Sequence, residues 1–453
     1  MNTTDSTDAV RKQQVRKAAI ASIVGTSIEW YDFFLYGTMA ALVFPKLFFP
    51  QSDPYIAILQ SFTVFFIGFL ARPIGAMIFG HFGDRIGRKT TLVTTLLLMG
   101  ISSTLIGLLP TYQNMGIAAP ILLVLLRFCQ GIGVGGEWGG SVVLSTEWSS
   151  KKRRGLMGSM TQLGVPIGLL SSTLVVSLCI YLFGDHFFSW GWRVPFLISI
   201  LLVGVGLYIR LGIMDSPQFS KMKQEQRTAK KPVLEVIKKH PKEIALSACA
   251  RLVEQVPFYI FTTFVISYGT EQLKLDKQFL TNALLVAPFV ELFTIPFFAH
   301  LSDKINRKKI YVAGCIVTML CAFPFFALIN TTIPVWVVLA IGFSIVGPTM
   351  AYGPQAALIA ENFPVHLRYS GASLGYQLAS IIGGGLAPLI SVYLLHKYNS
   401  TVPISIYIII ACLISLVAVT MLKDRSNQEL EEDADDSQTS KMELSLNNRQ
   451  KSV

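Results

Sequence analysis

A chain of 453 residues with 52% hydrophobic and only 14% charged side chains is too apolar for a soluble domain of ordinary make-up. Its formal net charge of +11 would suit a nucleic-acid binder, but the basic residues lie in short loops between long apolar runs. That placement excludes nucleic acid as a partner and makes the lipid bilayer the expected surroundings.

In chain order, a polar segment over residues 1–17, with Arg11, Lys12, Arg16 and Lys17, leads into an apolar run too long for a secretory signal. It lacks a small-residue cleavage site, so the run is expected to stay in the mature protein. At about 20 apolar residues per helical span, twelve spans are predicted, near 18–44, 56–80, 90–109, 119–146, 156–183, 193–213, 244–268, 279–301, 310–329, 334–360, 370–395 and 403–422. Basic residues recur at Arg85, Arg88 and Lys89, at Lys151 to Arg154, across Lys221 to Lys242 and at Lys304 to Lys309, while the alternate loops carry only Lys46, Lys274, Lys277 and Lys397. Lys and Arg concentrate on the cytoplasmic side, so both termini are expected to face the cytoplasm.

The longest internal polar segment, 214–243, reads as a cytoplasmic linker between an N-terminal unit, 18–213, and a C-terminal unit, 244–422. The tail, 423–453, with ELEEDADD at Glu429 to Asp436 and no apolar periodicity, is expected to be disordered. The halves repeat weakly. GHFGDRIGRK at Gly80 to Lys89 returns as AHLSDKINRK at Ala299 to Lys308, and Glu147 with Arg154 returns as Glu361 with Arg368. Internal repeats in a many-span protein point to a transporter whose substrate site lies near the midplane between them.

Charges within spans are costly, and so mark function or pairing. The predicted inventory is Glu29, Asp32, Arg72, Arg127, Glu137, Arg251, Glu254 and Glu291. Glu29 and Asp32 are three residues apart, hence on one helical face, as are Arg251 and Glu254. A shift of 222 residues carries the first pair onto the second, so both pairs are expected to face one central cavity. A carboxylate that gains and loses a guanidinium partner as such a cavity opens and closes can load and release protons. Asp32 is the favoured proton carrier, with Glu29 beside it and Arg127 as its partner. Arg127, Arg251 and Arg72 are the groups suited to an organic anion, because a guanidinium offers two parallel hydrogen bonds and a permanent charge. For Arg72, which precedes Pro73, a hinge or packing role is the alternative.

Tyr31, Tyr36, Tyr259, Tyr352, Tyr376 and Gln377 are expected along the cavity, and Glu254 within it. The glycines from Gly131 to Gly140 lie in an apolar span with no following Lys-Ser/Thr, which rules out a phosphate loop. They allow close, sliding helix contact instead. Six single cysteines and six scattered histidines form no metal or catalytic constellation, so neither a metal nor an enzyme activity is expected.

These motifs carry a family resemblance. Gly80 to Lys89 resembles the signature loop between the second and third helices of the major facilitator superfamily. EWYDF (Glu29 to Phe33), ARPIG (Ala71 to Gly75), RFCQGIGVGGEWGG (Arg127 to Gly140), SWGWRVPF (Ser189 to Phe196) and RYSGASLGYQLAS (Arg368 to Ser380) resemble its metabolite:proton symporters, over nearly the whole chain to about Asp424. The resemblance implies an all-α membrane protein of twelve transmembrane helices in two pseudo-symmetric six-helix bundles. It also implies alternating access in a bacterial inner membrane, and uptake of a small organic acid driven by the proton gradient with no cofactor; a monomer is expected. The alternative substrate is a zwitterion such as proline or betaine, for which Tyr31 or Glu29 would meet the ammonium group. By the same resemblance, Gly80, Asp84, Arg85, Gly87, Arg88 and Glu147 form a cytoplasmic latch. Asp84 is placed to accept from helix N-termini or to pair with Arg88. The second copy departs from the pattern at Ser302, Lys304 and Asn306, which leaves a plain basic loop as its alternative reading.

Overall fold

The computed structural model describes residues 3–150, 153–212 and 232–425. Residues 213–231, most of the expected linker, and the expected tail beyond 425 lie outside the described residues. Long helices follow one another with short connections: α1 (Thr3–Leu42), α2 (Pro54–Arg85), α3 (Arg88–Leu108), α4 (Ala118–Trp148), α5 (Arg154–Phe187), α6 (Arg193–Leu211), α7 (Pro241–Thr270), α8 (Asn282–Lys304), α9 (Arg307–Ile329), α10 (Pro334–Ala360), α11 (Val365–Tyr398) and α12 (Val402–Met421). Eleven of these, α2 to α12, are long and apolar enough to cross a membrane among the described residues. α1 carries the first predicted apolar run.

α2 packs along α4, α4 along α3, α3 along α6, and α1 along α5 and α6. In the second half α9 packs along α10 and α12, α8 along α10, and α7 along α11 and α12. The two sets meet where α2 lies against α11 and where α5 lies against α8 and α10. The α2–α11 and α8–α5 contacts are counterparts under the repeat seen in the sequence.

Several helices are interrupted on purpose. Pro257 in α7, Pro296 in α8, Pro324 in α9 and Pro354 in α10 each remove a backbone donor. α7 opens into π-helical turns at Ile260–Phe264 and Tyr268–Gln272, and α11 at Ser380–Gly385, where three glycines follow two isoleucines. Irregular backbone at membrane depth is tolerated where it is buried in protein or lines a cavity. Glycine brings helices together across the boundary between the two sets. A Cβ on Gly80 would stand 2.9 Å from Ser370 Cα, and one on Gly83 would run into the Tyr369 ring.

The outer surface is apolar. Phe289, Phe293 and Phe297 recur every four residues along α8, all more than half exposed, a stripe that only lipid would cover. An aspartate there, Phe293→Asp, is expected to cost about 2.5 to 3.5 kcal/mol on insertion and to cut the yield of monodisperse protein from membranes, whereas Phe293→Leu leaves it unchanged.

Candidate functional site

A small cavity lies between the two sets of helices. Trp30 of α1 and Val165 of α5 form one wall, and Glu254 and Tyr259 of α7, Glu291 of α8 and Tyr352 of α10 form the other.

Arg251 and Glu254, one turn apart on α7, form an ion pair, Nε to Oε1 at 2.7 Å. The Arg251 guanidinium also donates to the Tyr376 carbonyl at 2.5 Å and to Ser380 Oγ at 2.6 Å, and it lies 3.1 Å from the centre of the Tyr376 ring. Gln255 donates to both Glu254 oxygens. Tyr376 stacks on Trp138 at 3.5 Å and its hydroxyl meets that of Tyr352 at 3.2 Å. Glu254 of the second charged pair therefore lines the cavity, and Arg251 bonds protein partners with all but one terminal nitrogen.

The first pair is placed otherwise. Asp32 is buried and turned into the first set of helices, where its Oδ1 accepts from Ser199 of α6 at 2.5 Å. Its Oδ2 has no hydrogen-bond partner. The expected Asp32–Arg127 ion pair is not made in this conformation: Arg127 donates to Gln130 Oε1 at 3.1 Å, and Gln130 in turn donates to Ser103 at 2.6 Å. Of the four residues of the two pairs, Glu254 alone lines this cavity. The reason lies in α1 itself, whose Trp30 takes the cavity side, while Phe34 meets Phe258 of α7 at 6.3 Å. Glu29 is likewise buried, its Oε2 unpartnered, within Coulombic range of Glu137, Arg72, Arg210 and Arg251.

Arg72 and Arg127 flank the ring of Phe33, at 4.5 and 4.9 Å from its centre. Arg72 also lies over Phe69, and Arg127 over Tyr36 at 4.3 Å. Both guanidiniums are buried, and Nε and one terminal nitrogen of each have no hydrogen-bond partner. Tyr36 lies beneath Arg127 with its hydroxyl unpartnered, not on the cavity wall. Gln377 packs between α11 and α4, donating to the Val134 carbonyl at 3.4 Å.

Glu137 answers to a residue that the sequence inventory missed. Arg210, near the end of α6, is buried and donates to Glu137 and to the Leu92 carbonyl, while Thr95 and Ser141 donate to the same carboxylate at 3.0 and 2.9 Å. Three residues from the end of its predicted span, Arg210 reads as one more flanking positive charge. The only available signal was an unmatched carboxylate on α4.

The end of the molecule bearing the GHFGDRIGRK loop is shut by charge. Asp84, at the foot of α2, accepts from the backbone N–H groups of Tyr369 and Ser370 at 3.3 and 3.0 Å and from Ser370 Oγ at 2.8 Å, the first residues of the helical stretch Arg368–Ala379. Arg88 lies 3.7 Å from Asp84 and 3.5 Å from Glu147, and Glu147 also pairs with Arg368 at 3.5 Å. Gly87 adopts φ +135°, the turn between α2 and α3 that a side chain would strain. Arg85 stands apart from the network, exposed and 3.4 Å from His81.

The second copy builds the same device. Asp303 accepts from the N–H groups of Gly155 and Leu156 at 2.8 and 3.0 Å, at the start of α5. Arg307 bridges Asp303 and Glu361 at 3.3 and 3.1 Å, and Arg154 reaches Glu361 at 3.6 Å. The reading of this loop as merely basic is corrected: a helix N-terminus needs only the carboxylate, which is retained, and not the residues that changed around it. Burial holds the Glu361 carboxyl above the ordinary carboxylate range, against the pull of Arg307 and Arg154. Acidification on this side therefore neutralises Glu361 earlier than an exposed glutamate and weakens its hold on both arginines.

Interrupted helices in repeated halves, a midplane cavity and one end closed by paired carboxylate caps define a secondary transporter. The chain belongs to the major facilitator superfamily, whose family model matches residues 23–388. It is 41% identical to the shikimate transporter of Escherichia coli (strain K12), over 91% of this chain and 95% of that one. It is 30% identical to the proline/betaine transporter of the same strain, over 92% and 85%. Among solved structures, the proton:xylose symporter XylE bound to 6-bromo-6-deoxy-D-glucose shares the fold, with a TM-score of 0.73 at 16% identity over 92% of this chain and 97% of that one.

Removing one cap should loosen the closed end. A hydrogen bond to a charged group is worth about 1.5 to 3 kcal/mol, so Asp84→Ala or Asp303→Ala is expected to speed labelling of a cavity cysteine, Thr349→Cys, by roughly 10-fold. The label is a membrane-impermeant thiol reagent applied from the basic-loop side, in a background without the native cysteines; unchanged labelling in both variants would count against the latch.

Proposed function

We propose that the chain is a proton-coupled symporter that brings a small organic acid into the cell by alternating access. The observation that carries this reading is the pair of buried guanidiniums, Arg72 and Arg127, which flank Phe33 with donors unspent. Two buried cations with donors to spare suit a carboxylate, which satisfies a guanidinium fork with two bonds. Arg251, already bonded to Glu254, Tyr376 and Ser380, serves to set the shape of the opposite wall.

Asp32 is the proton carrier in this reading, with Glu29 next on the same helix face. In the conformation at hand Asp32 bonds Ser199 and leaves Arg127 to Gln130. Arrival of an anion at Arg127, or release of the proton from Asp32, changes the partner set of the other, and this shared neighbourhood is the coupling. Phe33 and Phe65 pack tilted and Phe69 edge-on to both, beside the arginines, and neither guanidinium lines the cavity, so the substrate must displace side chains to reach one.

By the positive-inside rule the shut end is the cytoplasmic one. The structure then belongs to the side of the cycle in which the cavity communicates outward, with both termini cytoplasmic in a bacterial inner membrane. The six-helix units 18–213 and 244–422 are the bodies that rock about the cavity. A complete site within one chain supports a working monomer, and the proton gradient supplies the energy without a cofactor. The zwitterion reading stays as the alternative, favoured by the carboxylates Glu254 and Glu291 on the cavity wall.

Asp32→Asn is expected to abolish proton-driven accumulation while counterflow exchange of the same substrate persists; accumulation at the wild-type level would refute the assignment. Arg127→Ala is expected to lose affinity for an organic anion by about 10-fold or more, with Arg127→Lys between the two because an ammonium cannot form the fork. Both are read by binding to purified protein.

A further inference from the structure

The cavity wall contributed by α7 and α8 is rich in acceptors that nothing in the protein uses. Glu291 of α8 is 3% exposed and lines the cavity, and its Oε2 has no hydrogen-bond partner. Gln255 Oε1 and the Tyr259 hydroxyl, both on the same wall, are equally without partners. The Gln255 amide is turned to Glu254, donating to both its oxygens, which leaves the Gln255 carbonyl free. Across the cavity stands Trp30, whose aromatic face is close to Arg72. The acceptors thus face an aromatic wall, with the Arg72 guanidinium 5.4 Å from the Trp30 ring centre.

A buried acceptor left unpaired is costly, and a site built to receive a donor rejects a ligand that lacks one far more strongly than an apolar pocket rejects a size change. We propose that Glu291 is a specificity residue that accepts a hydrogen bond from an O–H or N–H group on the substrate, at the end remote from its carboxylate. The inference rests on the organic-anion reading above and narrows it: the preferred substrate is an acid that carries donors, and a plain hydrocarbon acid of the same shape binds poorly. Gln255 and Tyr259 complete the acceptor wall. Glu254 cannot take this part, because Arg251 and Gln255 already occupy it.

The test uses the full chain in detergent and two matched pairs of probes. Shikimate and cyclohex-1-ene-1-carboxylate share a ring and a carboxylate, and only the first has hydroxyl donors. L-proline and glycine betaine are compact zwitterions, and only the first has N–H donors. Dissociation constants are measured by titration calorimetry for the wild type, Glu291→Gln and Glu291→Ala. The expected result is a preference of about 10- to 100-fold for the donor-bearing member of one pair, largely lost in Glu291→Ala. Loss in the shikimate pair identifies a hydroxyl as the donor; loss in the proline pair identifies an ammonium. Glu291→Gln keeps size and one acceptor, so it retains part of the preference and controls for a variant that fails to fold. If the wild type binds a donor-bearing probe and Glu291→Ala weakens both members of its pair alike, the inference falls while the transport reading stands. If the wild type binds none of the four, both fall together.

Discussion

The structure depends on one interaction made twice: a carboxylate at the foot of one helix holding the first N–H groups of a helix in the opposite half. Asp84 does this for α11 and Asp303 for α5. The partial positive charge of a helix start attracts an anion, and the free N–H groups give it direction. Arg88 and Arg307 balance the buried carboxylates and tie them to Glu147 and Glu361. Each contact joins helices from different halves, so in this conformation the two halves are held together at this end. The glycines at Gly80 and Gly83 bring the backbones near enough for short side chains to reach.

Above this closed end the interior sorts its charges by the company they keep. Glu137 and Arg210, with Thr95, Ser141 and the Leu92 carbonyl, form a satisfied cluster that ties α3, α4 and α6 together. Such a pair offers nothing to a ligand, since its charges are matched by fixed partners. Arg72 and Arg127 are the opposite case, held against ring faces that stabilise a cation without consuming its N–H donors. Stability and availability are thus divided between different residues of the same half.

Much of this was legible beforehand. Span positions follow from hydropathy, and the Arg251–Glu254 pair follows from a spacing of three on a helix. For Asp84 the sequence left a helix-start cap and a pairing with Arg88 both open, and it makes both contacts. The facing of Asp32 was not legible, because helical spacing says that Glu29 and Asp32 share a face but not what that face meets. Trp30, lying between them, took the cavity side. Arg210 was lost among flanking positive charges, and its partner could only be found by asking who neutralises Glu137. The Asp303 cap was obscured by changes at Ser302 and Asn306, positions that the contact does not use. The π-helical turns have no sequence signature beyond the run of glycines in α11.

Those turns make the halves mechanically unequal. Among the described residues all three lie in α7 and α11, and their counterparts α1 and α5 carry none. A wide turn has already given up the regular ladder of backbone bonds, so bending there sacrifices little more, whereas α1 must move as a rod. The repeat visible at the loops has therefore diverged, the wide turns falling in the C-terminal half among the described residues.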